Sequence, residues 1–469
     1  MKEAIRGVAP AGLVGLLVLT VLASPALALQ QLQTVAVPEE ARTAPLDLLI
    51  PPSPAVSLGE LPNGLRYYIR SNQEPGNRAE LRLVVRVGSI VEDDDQLGLA
   101  HFLEHMAFNG TENFEEQQLV QFMESIGMRF GAGVNASTGF DETTYRLTVP
   151  TDDPRYMATA FQILEDWAHG MTLDPEEIDQ ERDVIVEEWR FRRGVQARVQ
   201  DGQYPVIFQG SRYAERLPIG TIENIETFEH ESLRRFYREW YRPDLMAVIA
   251  IGDFDRLEVE ALLTDHFGDW SPPEGTRERV AYSVPDHEET LYSIVTDPEL
   301  TTSSVSVYHK MDANHDWTVG GYRQTIVEGL YNSLLNDRFA EIARQPEAPF
   351  LGASSSQGMF VRTEKIYSVS ATVPEGGVER GLGALFEEAE RVERFGFTET
   401  ELERAKMNIL RQIEQIYTNR VNTPSGSFAA EYTRALLDGE SIPGIEYEWE
   451  LYQRFVPEIT LDEVNRVGQ

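Results

Sequence analysis

Two histidines four residues apart, at the ends of the segment His101–His105, constrain this chain more than any other feature of its sequence. On an α-helix, positions i and i+4 share one face, so both imidazoles can reach a single metal ion. Glu104 lies on the same side, close enough to act on a water molecule beside that ion. Apolar residues flank the segment, which favours a buried helix over an ordinary amphipathic helix with surface histidines.

The HxxEH spacing is the inverse of the HExxH signature of zinc proteases, so hydrolysis of a peptide bond is the first hypothesis. The chain contains no cysteine, which leaves histidine and carboxylate as the metal ligands. Zinc lowers the pKa of a bound water towards about 7 and polarises a carbonyl. Glu104 is then suited to take the proton of that water and return it to the leaving amine.

Zinc requires a third protein ligand, and an acidic helix predicted over residues 174–189 contains the candidates. Glu181 and Glu188 are seven residues apart and share one face, so one can bind the metal while the other supports a ligand. Glu187 points about 100° away and is the weaker candidate. The alternative interpretation is a solvated acidic helix without a metal.

The stretch from His101 to Thr111 resembles the pitrilysin, or insulinase-like, family of zinc metallopeptidases, which includes mitochondrial processing peptidases and bacterial periplasmic members. The resemblance covers nearly all of residues 55–469. It continues in five further segments, which are residues 135–138, 144–145, 181–188, 218–220 and 241–246.

The resemblance implies a role for each candidate residue of the site. His101, His105 and Glu188 would bind Zn²⁺. Glu104 would be the catalytic general base, and Glu181 would be an acidic residue that assists catalysis from behind the ligands.

Asn135 and Ala136 match positions that hold the substrate backbone in the family. The chain departs from the family pattern in one respect, because 82 residues separate His105 from Glu188, which is more than usual. This longer spacing leaves Glu187 as the alternative ligand.

An internal repeat predicts two domains of similar fold. With Pro150 laid on Pro374, the pattern of strand, turn, helix, loop and helix recurs in the second half. At this offset Glu188 meets Gln412, and no second HxxEH is found. We therefore expect a second domain that lacks metal ligands and walls a substrate chamber.

The predicted fold class is α+β, with two homologous pitrilysin-like domains, each an antiparallel or mixed sheet packed with helices. A Pro/Gly-rich joint around residues 271–275 separates them. The predicted order is a signal peptide (1–28), a linker (29–54), the catalytic zinc-binding domain (55–270), a second linker (271–280) and a complete or truncated non-catalytic domain (281–469).

The first residues predict export. A basic start at Lys2 and Arg6, an apolar run over residues 8–23 and the A-x-A motif of residues 26–28 are typical of a secretory signal peptide. The alternative is an uncleaved membrane anchor. We expect a periplasmic or secreted protein with no stable membrane insertion after cleavage.

The net charge of −36, from 77 acidic and 41 basic residues, argues against nucleic acid and anionic membranes as partners. It suits basic peptide substrates, or it simply keeps an exported protein soluble.

The resemblance also implies a second pair of such domains, on the same full-length chain or on a partner subunit, and leaves a homodimer open. In the family that pair supplies an Arg and a Tyr to the transition state. The chain resembles the N-terminal half of such a protease. The functional alternatives are a non-catalytic subunit or a peptide-binding or assembly module of an envelope complex.

Overall fold

The structure, a computed structural model, describes residues 39–115, 118–128, 131, 133–271, 275–313 and 316–469. The predicted signal peptide, residues 1–28, lies outside these residues. From Pro38 to Gln469 the chain forms one compact unit. Within the described part, no helix combines the length and the apolar character needed to cross a membrane.

The first half of the described chain is built on a mixed sheet of six strands, which are β1 (Ser57–Glu60), β2 (Arg66–Ser71), β3 (Arg78–Val85), β4 (Val134–Thr138), β5 (Thr143–Pro150) and β6 (Met246–Gly252). The strand order is β1-β2-β6-β3-β5-β4. Only the pairing of β2 with β6 is parallel. One edge of the sheet is therefore β4, the strand that carries residues 135 and 136.

Helices of the first half follow the strands in the order α1 (Glu39–Thr43), α2 (Leu99–Met106), α3 (Gln118–Ser125), α4 (Pro154–His169), α5 (Pro175–Arg192), α6 (Val195–Ile207), α7 (Ile222–Thr227), α8 (His230–Trp240) and α9 (Arg256–Phe267). The predicted HxxEH helix is α2, and the predicted acidic helix is α5.

The second half contains an antiparallel sheet in the order β7-β9-β8, formed by β7 (Ser303–Asp312), β8 (Gly352–Val361) and β9 (Glu364–Val373). Its helices are α10 (Val319–Ala343), α11 (Val378–Phe395), α12 (Glu399–Asn419), α13 (Ser425–Asp438), α14 (Ile445–Glu458) and α15 (Leu461–Arg466). Two helix-packed sheets, one mixed and one antiparallel, confirm the predicted α+β fold class.

The internal repeat is visible in the positions of these elements. Helices α4 and α5 begin at Pro154 and Pro175, and their counterparts α11 and α12 begin at Val378 and Glu399, at the same offset that sets Pro150 on Pro374. At that offset the buried Ala405 takes the place of Glu181. The second copy keeps the scaffold and replaces this carboxylate with a methyl group.

Local sequence explains where α5 begins. The Asp174 side chain accepts a hydrogen bond from the backbone N–H of Glu176 at 2.8 Å, and Pro175 occupies the first turn. Ile185 and Val186 are buried, whereas Val184 is 52 % exposed. Its position on the helix turns it away from the core that Ile185 enters.

Part of the predicted linker 29–54 lies among the described residues. Residues 39–54 begin with the short helix α1, which packs against α14, and continue as an extended segment. Ala41, Ala44 and Ile50 are buried in the core of the second sheet, so this segment is a packed strap. Residues 272–274 of the second predicted linker lie outside the described residues, and the domain boundaries stay a prediction.

The two faces of β6 belong to different cores. Val248 and Ala250 face the helices of the first half, whereas Ile249 and Ile251 pack against α13 of the second half. Burying both faces explains why all seven residues of β6 are buried. The α13 helix therefore joins the second half to the sheet of the first.

Tyr432 is the largest fully buried side chain in this contact, and we expect its removal to weaken the packing between the two halves. It is 1 % exposed, stacks on Tyr68 with ring centroids 5.9 Å apart, and accepts a hydrogen bond from Arg70 at 3.1 Å. Tyr432→Ala should lower the free energy of unfolding by about 3–5 kcal/mol, and Tyr432→Phe by about 1 kcal/mol. Chemical denaturation of both variants measures this. A smaller loss for alanine than for phenylalanine would contradict the packing described.

Candidate metal centre

Helix α2 is fixed at its N-terminus by a close backbone approach and a buried carboxylate. Gly98 precedes the helix with φ of 90°, and a Cβ atom there would lie 2.9 Å from Cα of Gly220. The Glu92 carboxylate accepts hydrogen bonds from the backbone N–H groups of Gly98 at 2.9 Å and Ala100 at 2.8 Å. Burial raises the pKa of Glu92 to about 8, although these two bonds act in the opposite direction.

Helix α5 is held in register with α2 through Phe228. Arg182 of α5 donates hydrogen bonds to the backbone carbonyls of Ile225 at 2.7 Å and Phe228 at 2.8 Å. Its guanidinium also lies 3.9 Å from the centroid of the Phe228 ring. Phe102 of α2 contacts the same ring edge to face, with centroids 4.9 Å apart. Both helices thus pack on one aromatic side chain.

This packing brings His101, His105 and Glu188 together. One ligand atom from each lies within 4.8 Å of the others. The Oε2 atom of Glu188 is 3.1 Å from Nε2 of His105 and 3.7 Å from Nε2 of His101. A tetrahedral zinc ion with bonds of about 2.0–2.1 Å separates its ligand atoms by about 3.3 Å, so small side-chain shifts would accommodate it.

The donor set also fits a metal chemically. Two imidazoles and one carboxylate are the protein ligands of one class of catalytic zinc sites, in which water takes the fourth position. Among the described residues, Glu188 Oε2 is buried and has no well-directed hydrogen bond, and the same holds for Nδ1 of His101. The Glu188 oxygen is therefore buried opposite two ring nitrogens without a directed hydrogen-bond donor. A cation bound between these atoms would provide the missing partner.

The two histidines differ in their electrostatic surroundings. Burial and the neighbouring His105 lower the pKa of His101 to about 4. Burial acts in the same direction on His105, but its hydrogen bond to Glu181 and its close contact with the Glu188 carboxylate outweigh burial and raise the pKa to about 9. Burial opposes ionisation of Glu188, yet His105, His101 and Arg192 together lower its pKa.

Glu181 supports His105 from the side opposite to Glu188. Its Oε1 accepts a hydrogen bond from His105 Nδ1 at 2.8 Å, which leaves Nε2 facing Glu188. The other oxygen, Oε2, accepts a hydrogen bond from the Asn109 side chain at 2.5 Å. The arrangement therefore places Glu181 behind one of the three candidate ligands rather than among them.

Glu104 is buried, 8 % exposed, and its Oε2 accepts a hydrogen bond from Thr138 Oγ1 at 2.7 Å. Burial raises the pKa of Glu104, and the Thr138 bond partly offsets this. A carboxylate with a raised pKa beside a metal site is suited to accept and return a proton.

Asn135 and Ala136 lie on β4, the edge strand, and are not brought into the ligand cluster. The Asn135 side chain is exposed, and its Oδ1 accepts a hydrogen bond from the Ala136 backbone N–H at 2.9 Å. Glu187, the alternative ligand, points to solvent with 71 % of its side chain exposed and pairs with Arg190. The geometry thus favours Glu188 over Glu187 as the third candidate ligand.

Sequence reasoning missed three residues that hold the site: Glu92, Asn109 and Thr138. Asn109 and Thr138 lie inside the segments 101–111 and 135–138 that carry the family resemblance, so the signal was present but was not assigned to a role. Glu92 lies outside any motif, and only its contact with α2 reveals it.

Two family models match the chain. The model of the insulinase peptidase family M16 matches residues 67–200, and that of the M16 inactive domain matches residues 227–409. Together they take in more than half of the chain. The chain belongs to peptidase family M16.

Relatives of this M16 chain include an Arabidopsis thaliana protein named zinc protease PQQL-like, with 34% identity over 88% of the chain. The probable zinc protease PqqL of Haemophilus influenzae is 30% identical over 89% of the chain. The chain spans 40% and 45% of the length of these two relatives.

Among solved structures, the first half of the periplasmic protease PqqL from Escherichia coli matches with a TM-score of 0.84 and 26% identity, covering 90% of both chains. The complete PqqL structure matches with a TM-score of 0.82 and 25% identity over 47% of its length. Both support the assignment of the M16 fold to this chain.

We expect zinc binding to release a proton from His105. At pH 7 the metal-free His105, with a pKa of about 9, is protonated, whereas His101, with a pKa of about 4, is already neutral. A metal needs the free Nε2 lone pair, so affinity should rise about tenfold per pH unit from 7 until it levels near pH 9. Titration calorimetry in buffers of different ionisation enthalpy counts the released proton. Zinc affinity that is independent of pH over this range would contradict the assignment.

Proposed function

We propose that this M16 chain binds Zn²⁺ through His101, His105 and Glu188 and hydrolyses peptide bonds as a metalloendopeptidase. The observation that carries the proposal is the convergence of these three ligand atoms within 4.8 Å, next to the buried Glu104. The zinc-protease names of the curated relatives support it. The intact ligand set and base speak against a non-catalytic subunit or an assembly module.

In the proposed hydrolysis, Glu104 and Glu181 have different roles. A bound zinc ion would supply Lewis acidity, which polarises a carbonyl and acidifies water. Glu104, held by Thr138, is the general base that takes the proton from the attacking water and returns it to the leaving amine. Glu181 accepts a hydrogen bond from Nδ1 of His105 and so keeps the ring oriented.

The substrate backbone is proposed to lie along β4. This strand is at the edge of the sheet, and Asn135 on it is exposed. An extended peptide can add to such an edge through backbone hydrogen bonds, with Asn135 and Ala136 as its partners. Thr138, three residues along from Asn135, holds the proposed base, so the strand would place a scissile bond near Glu104.

The substrates are proposed to be peptides or small unfolded proteins enclosed in a chamber. A second pair of M16 domains would close it, from the same full-length chain, a partner subunit or a second copy of this chain. The greater length of the curated relatives supports this arrangement. We also propose a periplasmic location, which the name of the Escherichia coli structure and the signal-like residues 1–28 support.

The ligand assignment is tested by two substitutions one residue apart on α5. Glu188→Gln should lower the zinc content of the purified chain well below one ion per chain, since it removes an anionic ligand. Glu187→Gln is the matched control, because it removes the same charge from a side chain that faces solvent. Elemental analysis after dialysis compares them. Equal zinc content in the two variants would refute Glu188 as a ligand.

The base is tested by Glu104→Gln. We expect zinc content to stay at the level of the unmodified chain while cleavage of a fluorogenic peptide falls by at least about 100-fold, because general-base catalysis is lost. The control is the unmodified chain with a chelator, which should lose activity and regain it when zinc is restored. Cleavage by the glutamine variant at nearly the original rate would show that Glu104 is not the base.

A further inference from the structure

We infer that Asn109 is a positioning residue of the metal site, acting through Glu181 on His105. The inference rests on the proposed zinc function and adds a residue to it. Asn109 Nδ2 donates to Glu181 Oε2 at 2.5 Å, and Glu181 Oε1 accepts from His105 Nδ1 at 2.8 Å. The three side chains form one hydrogen-bonded series that ends on a proposed ligand.

The orientation of Glu181 depends on both of its hydrogen bonds. A carboxylate bonded through one oxygen can rotate about that bond, whereas one bonded through both oxygens has a single orientation. Among the described residues, Asn109 is the donor to Oε2. Its loss would leave Glu181 tied to His105 alone, and the imidazole would lose the fixed acceptor that aligns Nε2 with the metal.

The site has little other support of this kind. Nδ1 of His101 is buried and has no hydrogen-bond partner among the described residues. Metal-bound histidines ordinarily donate their second N–H to an acceptor, which sets ring orientation and basicity. His101 lacks such an acceptor among the described residues. The hydrogen bond from His105 to Glu181 is therefore the directed contact that orients one of the two imidazoles.

The location of Asn109 suits this role. It is four residues after His105, in the turn that ends α2, and its backbone N–H donates to the Met106 carbonyl at 3.1 Å. Its side chain crosses to α5, so the contact links the end of one ligand helix to the middle of the other. A neutral amide donor is required, because aspartate at this position would set two carboxylates against each other.

The test compares zinc affinity in Asn109→Ala and Asn109→Asp with that of the unmodified chain, by competition with a chromophoric chelator. We expect about a 10–100-fold loss for alanine, the usual effect of removing a partner behind a metal ligand, and a larger loss for aspartate. Asn113→Ala is the matched control. Asn113 lies in the same loop and donates to the buried Asp166 at 2.7 Å, away from the metal ligands.

A second measurement works on the metal-free protein and is independent of zinc. Nitrogen-15 NMR of His105 should show an Nδ1 proton that exchanges slowly with solvent in the unmodified chain and in Asn113→Ala, and rapidly in Asn109→Ala. Unchanged zinc affinity together with unchanged exchange in Asn109→Ala would overturn the inference. If the unmodified chain binds no zinc, the proposed function fails, and the exchange rates alone decide whether Asn109 positions His105.

Discussion

The contact between α2 and α5 is the constraint on which the site depends, because neither helix carries a complete ligand set. Phe102 and Ile185 bury the apolar sides of the two helices in one core, which is a strong but non-directional interaction. The orientation of the two helices is set by polar contacts. The main ones are the hydrogen bonds of Arg182 to two backbone carbonyls and the hydrogen bonds that Glu92 accepts at the N-terminus of α2. These contacts set the helix register, and the register decides that Glu188 rather than Glu187 faces the histidines.

The described part of the second half shows the same order of helices without a counterpart of Glu181. Buried carboxylates and imidazoles need charged or hydrogen-bonded partners, and an unpartnered charge in a core is destabilising. In the first half Glu181 finds two partners. In the second half the equivalent Ala405 is buried and apolar, so α12 needs no polar partner at this position. The repeat therefore keeps the packing of the scaffold while losing the costly polar cluster.

The part of the site that could be predicted from sequence is the part fixed by local geometry. The i, i+4 spacing of His101 and His105 and the start of α5 at Asp174 and Pro175 follow from helix geometry and capping. The contacts of Asn109 with Glu181 and of Thr138 with Glu104 join residues 72 and 34 positions apart, and no local rule specifies them. The packing of residues 39–54, which the sequence predicts only as part of a linker, also depends on distant residues, since its apolar side chains are buried by helices and strands far along the chain.

The electrostatics of Glu104 connect the scaffold to the proposed chemistry. Burial raises the pKa of this carboxyl in the metal-free protein, with the charge of Glu188 acting in the same direction and Thr138 and His105 opposing them. A divalent cation held by the adjacent candidate ligands would favour the ionised carboxylate and so oppose the effect of burial. Glu104 would then bind a proton less strongly when the ion is present than when it is absent. The position of Glu104 beside the candidate ligands would thus couple the ionisation of the proposed base to metal binding.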